Sequence, residues 1–236
     1  MTARLYKKAR VSDTISIVAH QLKNPISVLY GYLEVLASED LGKLNKKQKE
    51  YLLDALKNVE AMSNIVKDLL DVSKIEEGRY KIKPQVVDLG KICKEIIKNL
   101  SSWARASNCE IVFSAPAKLP NVYVDPSKIR YVIENLISNA VMYKSSGPAK
   151  VEVKLKKRKD KVLFMCKDNG IGISNKDVDK IFSKFFRSEE AVMLNPAGTG
   201  LGLYISKAII RLNGGEIWFE KNKNKGMTFY FTLPIA

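Results

Sequence analysis

Histidine is almost missing from this 236-residue chain, which has only His20. Cysteine is scarce, with Cys93, Cys109 and Cys166 far apart and no C-x-x-C pair. That supply excludes a His/Cys zinc centre and reads instead as three reduced packing residues of a cytosolic protein. No apolar run approaches the roughly 18 residues that a membrane-crossing helix needs, and no signal peptide opens the sequence. The expectation is a cytoplasmic chain, compatible with a longer parent that is itself anchored in a membrane. Internal repeats and low-complexity tracts are also missing. Acidic residues are in deficit: 25 Asp and Glu against 40 Lys and Arg leave a formal charge of +15. The cations gather at 7–10, 46–49, 154–161 and 221–225, and none of these runs is interleaved with aromatics. Direct binding of nucleic acid is therefore not expected. Solvated faces and hairpin turns account for the charge, with attraction of an acidic partner, nucleotide or membrane surface as the alternative.

What is present is organised around V-A-H-Q-L-K-N-P at 18–25. Apolar residues fall at Ile15, Val18, Leu22, Pro25, Leu29, Tyr32 and Leu36, in alternating steps of 3 and 4, the a/d seam of a bundled helix. That seam turns His20 outward, with Asn24 one helical turn later on the same face. Pro25 has no amide for the Gln21 carbonyl, so a bend is expected just below the histidine. A lone histidine is more often an inert core or surface residue. An exposed imidazole above a proline, beside an amide, reads as a presented nucleophile.

Residues 1–10 read as a helical lead-in continuing from upstream in a longer parent, and the helix is expected to reach Ala37. Ser38–Asn45, with Asp40 and Gly42, has turn chemistry. A second heptad run follows at Leu52, Ala55, Val59, Met62, Val66 and Leu69. Two such helices make an antiparallel hairpin whose broad apolar faces a second copy covers, giving a homodimeric four-helix bundle through residues 10–78. A monomeric hairpin lying on the second domain is the alternative. The heptads stop at Gly78, which sets a helical domain at 1–78, a hinge linker at 79–87 and a second domain at 88–236.

In that second domain, helices are expected at Leu89–Ala106, Pro126–Tyr143, Asn175–Phe182 and Gly202–Leu212. Strands are expected near Glu110–Ser114, Asn121–Val124, Ala149–Lys156, Val162–Lys167, Glu216–Glu220 and Thr228–Leu233. The order is that of an α/β two-layer sandwich with helices on one face of a mixed sheet. Asp125 and Pro126 supply the N-cap and first residue of one helix.

Four short motifs lie along this domain. E-N-L-I-S-N-A-V-M-Y at 134–143 puts Asn135 and Asn139 on one helical face, and amide oxygens are hard ligands that suit Mg²⁺ beside phosphate and water. D-N-G-I-G-I at 168–173 follows a strand, so Asp168 at its end can accept from the exocyclic amine of a base, while Gly170 and Gly172 permit close backbone approach. I-F-S-K-F-F-R-S at 181–188 offers Phe182, Phe185 and Phe186 as a pocket wall and Arg187 as a reach to phosphate. G-T-G-L-G-L at 198–203 opens a helix, where backbone amides and the dipole favour phosphate. No G-K-[ST] follows, so it is not a Walker loop. The loop-like Ser188–Pro196 before it is not a strand, so it is not a dinucleotide fingerprint, and that stretch reads as a lid over nucleotide. Taken singly, these motifs also fit polar surface, a glycine turn or aromatic core.

Together, the octapeptide and the four motifs resemble the transmitter region of sensor histidine kinases of two-component systems, over nearly the whole chain. H-Q-L-K-N-P resembles the phospho-acceptor box, and the later motifs resemble the asparagine, first glycine, phenylalanine and second glycine boxes of an ATP-binding domain shared with gyrase-type and chaperone-type ATPases. The resemblance implies autophosphorylation of His20 from Mg-ATP, then transfer to an aspartate in the receiver domain of a response regulator. It implies Asp168 on adenine, Tyr143 lining the base, Asn139 and Asn135 at Mg²⁺, and Arg187 near the phosphates. Gly170, Gly172, Gly198, Thr199, Gly200, Leu201 and Gly202 would shape the pocket. Asn24 resembles the water-positioning group used to dephosphorylate the regulator.

Two positions depart from the family pattern. Gln21 stands where a carboxylate commonly follows the histidine. A neutral acceptor in place of a charged one costs about 1 kcal/mol, roughly five- to tenfold in rate. Met142 stands where Lys or Arg usually precedes the tyrosine, which removes a phosphate contact unless Lys144 or Arg187 supplies it. These departures favour an alternative function, a kinase-weak phosphatase or scaffold module that docks a response regulator.

Overall fold

The computed structural model describes the backbone of residues 2–236 and the side chains of residues 17–236. The chain forms two compact units, Met1–Tyr80 and Lys81–Ala236.

The first unit is a helical hairpin of α1 (Thr2–Ala37) and α2 (Lys46–Glu76). Asn45 starts α2 with a reciprocal capping box: its Oδ1 accepts from Gln48 N at 2.9 Å and Gln48 Oε1 accepts from Asn45 N at 2.8 Å. In the connecting turn, Glu39 takes a positive φ of 61° and its carboxylate receives Leu44 N at 3.1 Å and the Lys49 ammonium at 2.8 Å. At the far end, Tyr80 Oη donates to Asp71 Oδ2 at 3.2 Å, folding the chain back on α2.

The expected seam of α2 packs inward at Val59, Val66 and Leu69, but on α1 the packed face is Ala19, Ile26, Tyr30 and Leu33. Each lies one position after a residue of the expected seam, a rotation of about 100°. Val18, Leu22, Leu29, Tyr32 and Leu36 remain 43–68% exposed as a second apolar stripe. Ile15 lies outside the described side chains. Heptad spacing establishes that a helix has an apolar stripe; it does not decide which of two neighbouring apolar stripes meets α2. The helix runs on through Pro25.

The second unit is an α/β two-layer sandwich. Its five-stranded sheet has the order β2 (Cys109–Ser114), β4 (Ala149–Arg158), β5 (Lys161–Asp168), β7 (Met227–Pro234), β6 (Ile217–Lys221). The β2–β4 pair is parallel and the others antiparallel. Alternation sends Val151, Val153, Leu155, Val162, Phe164, Cys166, Phe231 and Leu233 into the core. Phe164 stacks on Phe231 at 4.5 Å between centroids. Against this face pack α3 (Leu89–Ala106), α4 (Pro126–Met142) and α6 (Gly202–Leu212). All three cysteines are free and buried, as their packing role requires, and burial pushes the Cys93 thiol up to about 12.

Three local differences matter for the site. Gln85–Val87, inside the stretch expected to be linker, forms strand β1, which pairs antiparallel with β3 (Val122–Val124) apart from the main sheet. The helix expected at 175–182 is a 3₁₀ turn over Asn175–Lys180, with no side-chain cap from Ser174. The loop expected at 188–196 contains a short helix, α5 (Glu189–Leu194), begun by Ser188 Oγ accepting from Ala191 N at 3.2 Å.

Candidate functional site

On α1, His20, Gln21 and Asn24 are all exposed, while Ala19 beside them is fully buried against α2. The buried alanine fixes the rotation of the helix, and the rotation puts the imidazole in solvent. Ser27 Oγ donates to Lys23 O at 2.9 Å, one turn back along the helix on the other side of Pro25.

In the second unit, Asp168 is the last residue of β5 and is half-buried. Its Oδ1 accepts from Gly170 N at 2.9 Å and from Met227 N at 3.1 Å, and no donor reaches Oδ2 among the described residues. Burial raises the Asp168 pKa, and the two amides oppose that rise without cancelling it. Asn222 Nδ2 donates to the Asp168 carbonyl at 2.7 Å, and Thr228 Oγ1 donates to Asn222 Oδ1 at 2.6 Å. Gly226 closes this clasp, since any Cβ there would collide with Asp168. Asn222 lies inside the lysine-rich run 221–225, and Gly226 directly after that run and before a strand is the available turn signal. Gly170 passes under the Tyr143 carbonyl, which accepts from Ile171 N at 3.0 Å, and that contact leaves no space for a side chain at 170. Tyr143 itself caps the end of α4, half-buried.

The α4 amides form a chain rather than a pair of equal ligands. Asn135 Nδ2 donates to Ser206 Oγ at 3.0 Å on α6, and Asn139 Nδ2 donates to Asn135 Oδ1 at 3.3 Å. Asn135 is thereby a holder, and Asn139 Oδ1 is the amide oxygen with no protein donor among the described residues. Gly202 admits this arrangement because a Cβ there would strike Asn135 Oδ1. Ser206, buried one turn along α6, was not foreseen; a serine four residues after Gly202 was the readable clue. Amide oxygens of this kind fit a hard, phosphate-bound Mg²⁺.

The second glycine motif lies against the phenylalanine motif. Phe185 N donates to Gly200 O at 3.1 Å, Phe185 adopts a φ of 62°, and Leu201 is fully buried at the head of α6. Thr199 Oγ1 accepts from Leu201 N at 3.3 Å, shaping the entry to the helix. Phe182, half-buried, packs against Phe219 and Phe229 with ring centroids at 5.9 and 6.5 Å. Arg187 was expected to reach phosphate. Instead, Nη1 donates to Pro196 O at 3.1 Å and Gly198 O at 2.9 Å, and Nη2 donates to Ala191 O at 2.7 Å and to Asn195 O. Carbonyls within and just after the unforeseen helix α5 capture the guanidinium. Lys144, the other cation next to Met142, donates to the Ser107 carbonyl.

Residues 10–78 match the His Kinase A (phospho-acceptor) domain, and residues 124–236 match the Histidine kinase-, DNA gyrase B-, and HSP90-like ATPase family. Sensor histidine kinase WalK of Bacillus subtilis is 31% identical over 223 residues, 94% of this chain and 36% of that protein. Sensor protein kinase WalK of Staphylococcus aureus is 32% identical over 224 residues, 94% of this chain and 53% of that one. The chain belongs to the sensor histidine kinase family. It spans 36–53% of the length of these two relatives. The catalytic domain of histidine kinase ThkA in a nucleotide-free form superposes with a TM-score of 0.58 at 28% identity, covering 65% of this chain and 99% of that domain. Full-length ShkA in complex with AMPPNP gives a TM-score of 0.76 over 95% of this chain and 46% of that one, a likeness of fold at 22% identity. Among the described residues of this histidine kinase transmitter region, no helix is long and apolar enough to cross a membrane.

Proposed function

We propose that the chain phosphorylates its own His20 from ATP and passes the phosphoryl group to an aspartate in a response-regulator receiver domain. The observation that carries this reading is the Asp168 clasp. Two backbone amides fix one carboxylate oxygen while the other is left for the amine of adenine, in a domain whose glycine loops lie at the head of a helix. Tyr143 lines the base, and Gly170 and Gly172 let it approach the backbone. Gly198, Thr199, Gly200, Leu201 and Gly202 present backbone at the phosphates, where the N-terminal dipole of α6 favours negative charge.

Asn139, oriented by Asn135 and Ser206, would hold Mg²⁺, which neutralises phosphate charge when bound. The neutral His20 imidazole attacks the γ-phosphorus, a nitrogen–phosphorus bond forms as the bond to the ADP oxygen breaks, and ADP leaves. The reaction needs positioning and charge neutralisation more than covalent help. Gln21 accepts from the other ring nitrogen through its carbonyl, and Asn24 positions water when the regulator is dephosphorylated. The exposed stripe Val18–Leu22–Leu29–Tyr32–Leu36 is the surface on which a second copy completes a four-helix bundle. The test is acid-labile label on His20 from γ-labelled Mg-ATP, followed by its chase onto a receiver-domain aspartate.

A second reading is favoured by Met142 together with the capture of the two cations that could replace its phosphate contact, Lys144 by Ser107 and Arg187 by the lid. With neither free for phosphate, the chain would be a weak kinase acting mainly as a regulator phosphatase or docking scaffold. Regulator dephosphorylation surviving in a protein that takes no label selects it.

A further inference from the structure

We propose that Arg187 is a positioning residue that holds the nucleotide lid in shape from inside, and not a phosphate ligand. Its guanidinium is surrounded by the loop it would otherwise overlook. It donates to the carbonyls of Ala191, Asn195, Pro196 and Gly198, spanning the last turn of α5 and the approach to the glycine motif. Its Nε is buried without a partner among the described residues, and both Nη atoms are engaged by carbonyls of the loop, so the head group is turned into the lid. Gly198 confirms the enclosure: a Cβ there would stand 3.2 Å from Arg187 Cζ and Nη2. Gly200 presses on the same side chain, where a Cβ would meet Arg187 Cγ at 3.1 Å.

A six-residue helix is too short to persist by its own hydrogen bonds. Helix α5 is held at one end by Ser188 and at the other by the Arg187 charge, which suits the negative end of the helix dipole. The planar fork matters: one guanidinium satisfies four carbonyls at once, whereas a lysine ammonium is a point donor with three. Removing Arg187 therefore frees Asn195–Gly200, and with it the backbone that faces phosphate, while leaving the Asp168 clasp in place.

The test compares the full chain with Arg187→Ala and Arg187→Lys by hydrogen exchange without nucleotide, and by equilibrium binding of ATP, ADP and adenosine. The expected result is faster exchange of the Asn195 and Gly198 amides in Arg187→Ala by about 10- to 100-fold, the loss that follows removal of charge-assisted hydrogen bonds. ATP and ADP weaken by a common factor, adenosine binds as before, and Arg187→Lys recovers only part of the protection. Unchanged exchange with ATP weakened more than ADP would make Arg187 a phosphate ligand and overturn the proposal. Equal weakening of adenosine overturns it too, by making the residue a support of the whole unit. The binding measurements rest on the ATP reading of the pocket; exchange in the nucleotide-free chain does not, so the two fail separately.

Discussion

The backbone amide of Met227 donates to Asp168 Oδ1 at 3.1 Å, tying the first residue of β7 to the last residue of β5 across 59 positions of sequence. The Gly170 amide shares that oxygen at 2.9 Å, and Asn222 fixes the main chain behind it. A carboxylate held this way meets a ligand already oriented, so little side-chain entropy is lost on binding.

Replacing Asp168 with Asn retains an acceptor for the two amides but sets an NH₂ against the amine of adenine. Adenosine affinity should fall about 10- to 100-fold, the range for a lost hydrogen bond to a charged group. In the wild type, burial raises this carboxyl above 3.8, so the acceptor is lost as pH falls through a window above the ordinary aspartate value. Adenosine titrations should therefore weaken on acidification before a normal aspartate protonates, and Asp168→Asn should be flat across the same range. A pH-independent wild type would contradict the assignment.

Gly202→Ala drives a methyl into Asn135 Oδ1, the atom that receives Asn139. Overpacking of this kind costs about 1–3 kcal/mol and shifts its neighbours. The domain should stay folded, with both tryptophans, Trp103 and Trp218, reporting a single unfolding transition of the second unit. The Mg²⁺-dependent part of ATP binding should be lost, while adenosine binding, which depends on the Asp168 clasp, remains.

Much of this was legible from residue order. Asp125 and Pro126 mark the start of α4, and the alternation in 151–155 and 162–166 marks β4 and β5. His20 is exposed as the seam implies, although the α1 face that meets α2 is the neighbouring stripe Ala19–Ile26–Tyr30–Leu33 and not Val18–Leu22–Leu29. The part that was not legible depends on contacts distant in sequence. Nothing local announces that Met227 will donate to Asp168, or that Asn135 will be held by Ser206. The surroundings of Arg187 are hidden for the same reason: its partners are carbonyls, which every residue has and no motif displays.

The apolar stripe on α1 makes its own prediction. Leu29 and Leu36 are exposed and lie outside the buried cluster between α1 and α2. Changing both to Glu should leave helix content intact and convert a dimer to a monomer in light scattering. A dimer that persists with both charges present would place the interface elsewhere.

The most direct test of the account is incorporation of label from γ-labelled Mg-ATP into the intact chain, His20→Ala and Asn139→Ala. The prediction is acid-labile, base-stable label in the intact chain and none in either variant, with His20→Ala still binding ATP. Nucleotide binding without label in the intact chain would contradict the kinase assignment and leave the phosphatase or scaffold reading in its place.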